Sequence, residues 1–157
     1  MSDTSTVQNK LDVLVIDIGG KLFGVETLGI KRIAEILPED PSVIIEPYLG
    51  SYQFQGGKIP LINLANFFKL GSATRLETIY VLVCSYPETH VETFAIAASK
   101  VLGKLPVVST IPLPLEAMLY PDIYKCTFEF NGSYIILLDL QHIFERVVEL
   151  VRSEGAL

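Results

Sequence analysis

Apolar residues in this chain come in short blocks broken by glycine, proline or polar pairs, which is the rhythm of β-strands. Residues 14–18 and 21–25, joined by Gly19-Gly20, predict a hairpin, because paired glycines supply the positive φ of a tight turn. Residues 80–84 and 93–97, joined by a longer loop through Pro87, predict a second. Residues 54–64 and 130–140 then align without a gap at an offset of 76. Each reads as a strand end, a turn holding Gly56 or Gly132, an apolar strand, and a short polar residue, Asn63 or Asp139. Asn and Asp are good helix N-caps, and a helical pattern follows each, ending in Phe68 or Phe144. Segments 54–68 and 130–144 are therefore expected to form the same strand–turn–strand–helix unit. In the first hairpin pair, Phe23-Gly24-Val25 matches Phe94-Ala95-Ile96 and Ile30 matches Val101, at an offset of 71.

The duplication predicts a mainly β protein of two small five-stranded barrels, since closure removes the edges and bare apolar face of so small a sheet. Proline-bearing connections recur in both halves, at Pro38, Pro41 and Pro47 and at Pro106, Pro112, Pro114 and Pro121. The expected boundaries are a disordered tail over 1–10, one lobe over 11–75, a second over 76–139, and a C-terminal helix over 140–153. Leu140, Ile143, Phe144, Val147, Val148 and Val151 give that helix one apolar stripe, suited to covering a barrel seam or docking a partner.

Composition narrows the function. Half of the 157 residues are hydrophobic, yet no run approaches the ~20 residues of a membrane span. The first ten residues are polar and carry no apolar signal-peptide centre, so a cytoplasmic location is expected. A net charge of −6 with scattered Lys and Arg argues against nucleic acid. Cys84 and Cys126 lack metal-ligand spacing; reduced thiols are expected, and a disulfide stays open.

Catalytic patterns are missing. Gly20-Lys21, Gly57-Lys58 and Gly103-Lys104 have no following Ser or Thr and no glycine five positions earlier, so they are turns and not phosphate loops. His90 and His142 are not spaced as metal ligands; carboxylates such as Glu26 or Asp139 are open to pairing in space, but no nucleophile, metal set or cofactor loop accompanies them. A non-enzyme without cofactor or metal is expected.

Residues 50–64 resemble the central signature of the CheW family, 23–33 look like its strand leading into a Val-x-Glu-Val or Val-x-Glu-Ile stretch, and 94–96 through 137–140 are similar to its second-lobe pattern. The resemblance spans 11–144. It implies two five-stranded barrels and an adaptor joining cytoplasmic tips of methyl-accepting receptors to the regulatory domain of a CheA-type histidine kinase. Recruitment to receptor arrays at the inner membrane, with flagellar or pilus motility or phototaxis as output, is implied likewise. Partner contacts are expected at Ile30, Arg32, Gln53, Phe54, Gln55 and Gly56, with Ile30 and Phe54 open to a core role. Gly50 and Gly56 are expected as turn glycines. The chain departs from the family with Gln55 for Arg, Gln53 for Asn and Arg32 for Glu, while Cys126 stands at the position matching Gly50. If Arg32 and Gln55 are neighbours, a family ion pair has become an Arg–Gln contact. A small-molecule sensor and an antagonist occupying the adaptor's place are the alternatives.

Overall fold

A computed structural model describes residues 11–47, 49–70, 77–85, 93–111 and 123–153. The strands are β1 (Leu11–Ile18), β2 (Lys21–Glu26), β3 (Ile30–Ile36), β4 (Val43–Ile44), β5 (Leu49–Phe54), β6 (Gly57–Ile62), β7 (Ile79–Ser85), β8 (Thr93–Ala98), β9 (Lys100–Val107), β10 (Tyr124–Phe130) and β11 (Ser133–Leu138). Helix α1 (Leu64–Phe67) follows β6, and helix α2 (Leu140–Ser153) follows β11. The expected tail and His90 lie outside the described residues.

Two sheets result, in the orders β9-β1-β2-β11-β10 and β3-β7-β8-β6-β5-β4. Strand for strand they are the same arrangement. In each, the last strand of the repeated unit runs parallel to a hairpin strand: Leu61 lies opposite Ala95, and Leu137 opposite Gly24. These pairs reproduce both offsets, 76 for Leu61 and Leu137 and 71 for Gly24 and Ala95. The far edge is reached by β4, where Ile44 faces Ser51, and in the first sheet by one bridge, Ile111 to Thr127.

The sheets do not follow the two halves of the sequence. Hairpin β1–β2 sits in the first sheet with β9, β10 and β11, while β7–β8 completes the second sheet with β3, β4, β5 and β6. The boundary expected near residue 75 is therefore replaced by an exchange of hairpins. The cause is the parallel pairing of β2 with β11 and of β6 with β8, which needs strands far apart in sequence. In a duplicated chain the local pattern says what kind of strand pairs, but not which copy supplies it.

Strand residues alternate between two cores. Val13 and Val15 join Phe128, Ile135 and Leu137 inside the first sheet, and Val81 and Val83 join Tyr52, Leu61 and Ala95 inside the second. Leu14, Ile16, Leu82 and Cys84 point the other way, into a layer between the sheets. Burial on both faces explains why these strands read as unbroken apolar runs. Helix α2 drives Leu140, Ile143, Phe144, Val147 and Val151 into the same layer, so its stripe covers the junction of the two sheets.

The turns and caps also repeat. Gln55 and Gly56 (φ 52° and 82°) have the backbone of Asn131 and Gly132 (φ 52° and 81°). Two successive positive φ values mark a type I′ turn, whose twist matches that of the flanking strands. The Asn63 Oδ1 accepts from the Asn66 N–H at 3.3 Å, and the Asp139 Oδ1 accepts from the His142 N–H at 3.1 Å. Segments 54–68 and 130–144 are one unit used twice.

Candidate partner-binding surface

Strand β3 begins with an irregularity. Ile30 faces Cys84 and Arg32 faces Val83, leaving Lys31 as an extra residue in a β-bulge. Strand β9 has the same feature, with Leu102 left over between Val101 and Gly103. The burial sequence of residues 30–36 recurs unchanged in 101–107, which fixes the equivalence of the two strands. A bulge re-aims side chains. Here it sets both Ile30 and Ile33 on the side of Cys84 and Leu82, towards the layer between the sheets, although their spacing is odd. The Arg32 side chain falls on the opposite side with Val83, on the side of the second sheet's core, exposed and bonded to no described residue.

The other expected contacts gather at the β5–β6 turn. Gln53, Gln55 and Gly56 are exposed. Phe54 is half-buried, packs on the second sheet's core and stacks on Tyr52 at 6.4 Å. Phe54 and Ala34 of β3 touch that same core, yet β7, β8 and β6 lie between β3 and β5 in the sheet. The turn and the start of β3 lie towards the same end of the sheet by register. The side chains of Arg32 and Gln55 bond neither each other nor any other described residue.

Gly50 is not a turn glycine. It lies within β5, where a Cβ would come 1.9 Å from the Ile44 carbonyl oxygen, so its role is the close approach of β4. Its counterpart Cys126 neighbours Thr127, which among the described residues makes a single bridge, to Ile111, in place of the β4 pairing. Gly56 does turn the chain.

Three exposed apolar residues that the sequence reading passed over line the β3 edge: Leu28, Ile33 and Leu37, at 82%, 44% and 55% exposure. Ile33 and the half-buried Ile30 carry the inter-sheet layer out to solvent. At the equivalent places of the other copy stand Ser99, Lys104 and Val108. A smaller feature is shared by both copies. Leu37 and Ile44 flank the β3–β4 connection, and Val108 and Ile111 stand at the same places after β9, all well exposed.

The reactive groups are quiet. Both cysteines are free. Burial pushes the Cys84 thiol up to about 12, and burial also raises Cys126 against the opposing hydrogen bond from Thr110. His142 is tied to Asp139, Nδ1 to Oδ2 at 2.7 Å, on the exposed first turn of α2. Among the described residues no three His, Cys, Asp or Glu side chains gather as a metal site would require. A cleft of about 220 Å³ opens where Ile18, Gly19, Ala65, Leu70 and Ser99 meet.

The family model for the CheW-like domain matches residues 12–148. The chain belongs to the CheW-like family. Among solved structures, this CheW-like chain is similar to the scaffolding protein TtCheW from Thermoanaerobacter tengcongensis, with a TM-score of 0.69 and 16% identity over 85% of this chain and 87% of that one. At that identity the likeness is one of fold. No curated protein sequence matches the chain. Among the described residues no helix is long and apolar enough to cross a membrane. Within the CheW-like fold, then, the two copies of one unit differ at the β3 rim, where Ile33 stands against Lys104 and Leu28 against Ser99.

Proposed function

We propose that this CheW-like chain is a non-catalytic adaptor in chemotaxis or pilus-based motility signalling. It couples the cytoplasmic tips of methyl-accepting receptors to the regulatory domain of a CheA-type histidine kinase. It works in the cytoplasm, recruited to receptor arrays at the inner membrane. The observation that carries this reading is the apolar pair presented twice, Leu37 with Ile44 and Val108 with Ile111. Equivalent contacts on two lobes let one small protein hold two partner domains of like shape, which is what a bridging component needs. The β3 rim of Leu28, Ile30 and Ile33 supplies a third, different surface, suited to the receptor. Arg32, and Gln53, Phe54, Gln55 and Gly56 at the β5–β6 turn towards the same end of the sheet, are assigned to partner contact.

The test is capture of purified kinase regulatory domain and receptor tip fragment by the full chain, together and singly. Simultaneous capture of both is expected. Val108→Asp should weaken kinase binding and leave receptor binding intact, and Ile33→Asp should do the reverse. A chain that binds neither fragment is not an adaptor of this kind.

A further inference from the structure

The two sheets each end in a bulged strand that carries lysine, and only one of those strands also carries glycine and proline. β9 carries the features that keep an edge from pairing: Lys100 and Lys104, Gly103 at φ 146°, and Pro106, which has no N–H to offer. β3 has neither proline nor glycine, and among the described residues the backbone groups of residues 31–36 make no hydrogen bond beyond the ladder to β7. The equivalence of the strands says which groups are free. Pro106 sits in β9 opposite Asp12, at a position whose nitrogen must face away from β1. Its counterpart in β3, 71 residues earlier, is Glu35, opposite Tyr80. The Glu35 N–H therefore faces outward, as does that of Ile33 two residues before it.

We propose that the β3 edge takes up an extended segment of a partner protein as an added strand, and that this segment alternates apolar residues with carboxylates. The alternation follows from the two sides of β3. An added strand would set one row of side chains beside Ile33, Glu35 and Leu37, of which Ile33 and Leu37 are exposed and apolar, and the other beside Arg32 and Ala34. Arg32 and the bulged Lys31 have no ion partner among the described residues of a chain whose net charge is −6. Their complement is an acidic row. The proposal rests on the reading of β3 as a partner surface and names how, and by what chemistry, the surface is used.

The test follows amide resonances of the full chain on titration with a short peptide of alternating Val and Glu. Changes centred on Ile33 and Glu35 are expected. A peptide with Lys for Glu should bind more weakly, and one with N-methylated backbone nitrogens should not bind. Glu35→Pro copies the proline that the equivalent strand already accommodates. It should melt like wild type and lose about tenfold in affinity, the factor for one net hydrogen bond. Unchanged resonances at Ile33 and Glu35, or full-strength binding by Glu35→Pro or by the N-methylated peptide, would overturn the proposal. If Glu35→Pro fails to fold, the N-methylated peptide decides alone. Failure of the adaptor reading looks different: the wild type would capture neither kinase nor receptor fragment while still taking the Val-Glu peptide at β3.

Discussion

Phe144 stacks on Phe94, with ring centroids 4.7 Å apart and planes 17° from parallel, and Phe68 stacks on Phe23 in the same way, at 5.0 Å and 18°. Each of these pairs crosses between sheets. Phe144 follows the first sheet's β11 and reaches β8 of the second, while Phe68 follows the second sheet's β6 and reaches β2 of the first. The phenylalanine that ends each repeat is thus a clasp fastened to the opposite sheet.

Breaking one clasp should therefore destabilise the whole molecule. Phe144 is fully buried, and Phe144→Ala is expected to cost about 3–5 kcal/mol, as for other large-to-small core changes. Phe68 is only half-buried, so Phe68→Ala should cost less. Urea denaturation followed by circular dichroism measures both. A Phe144→Ala protein within experimental error of wild type would show that the clasp is not structural.

The two type I′ turns make a matched pair of experiments. Asn131 is at home at positive φ, whereas Gln55 holds the same backbone without that preference. Gln55→Asn should raise stability by about 0.5–1 kcal/mol, and Asn131→Gln should lower it by a similar amount. Thermal melts of the two variants should move in opposite directions, and movement in the same direction would contradict the turn assignment.

Cys84 gives a pH dependence. Its folded pKa, about 12, lies above the value near 9 of an exposed thiol because burial penalises the thiolate. Above pH 9 the unfolded chain releases the proton and the folded one keeps it, so stability present below pH 9 is lost as pH rises towards 12. The slope contributed is at most about 1.4 kcal/mol per pH unit. Cys84→Ala starts less stable and should lack this slope. Denaturation midpoints of both proteins from pH 8 to 11 check it, and parallel curves would rule the thiol out as the cause.

Restoring the family's charges tests selectivity without disturbing the fold. Arg32 and Gln55 are exposed and not bonded to each other, so Arg32→Glu, Gln55→Arg and the double change should each stay within about 0.5 kcal/mol of wild type. Gln55→Arg alone is then no worse folded through like-charge repulsion than Arg32→Glu, which differs from the expectation built on a direct contact. Binding of an acidic partner should fall with Arg32→Glu. Affinity unchanged by that substitution would remove Arg32 from the recognition surface.

The repeat, both turns, both caps and the C-terminal helix were legible because each is written in residues close together in sequence: Gly56 and Gly132, Asn63 and Asp139, the stripe from Leu140 to Val151. What escaped depends on distant partners. Nothing near Val13 says that it will pack beside Phe128 instead of a residue of its own half. The bulge at Lys31 shifts the phase of β3, so simple alternation misplaces Ile33 and hides the exposed rim. Gly50 read as a turn because the carbonyl that excludes its side chain belongs to Ile44 on another strand.

The exchange of hairpins sets an order of assembly during synthesis. When the chain has emerged as far as Ala98, the second sheet has all six of its strands, and β1–β2 is still a lone hairpin with two apolar faces. An isolated hairpin is marginal in water, and exposed apolar strands invite wrong pairing. Its proper neighbours, β9 and then β11, arrive last, and Phe144 follows only after them. The hairpin β1–β2 must wait until residues 100–138 have been made, which makes it the strand pair longest without its neighbours and the arrival of β11 the moment of commitment.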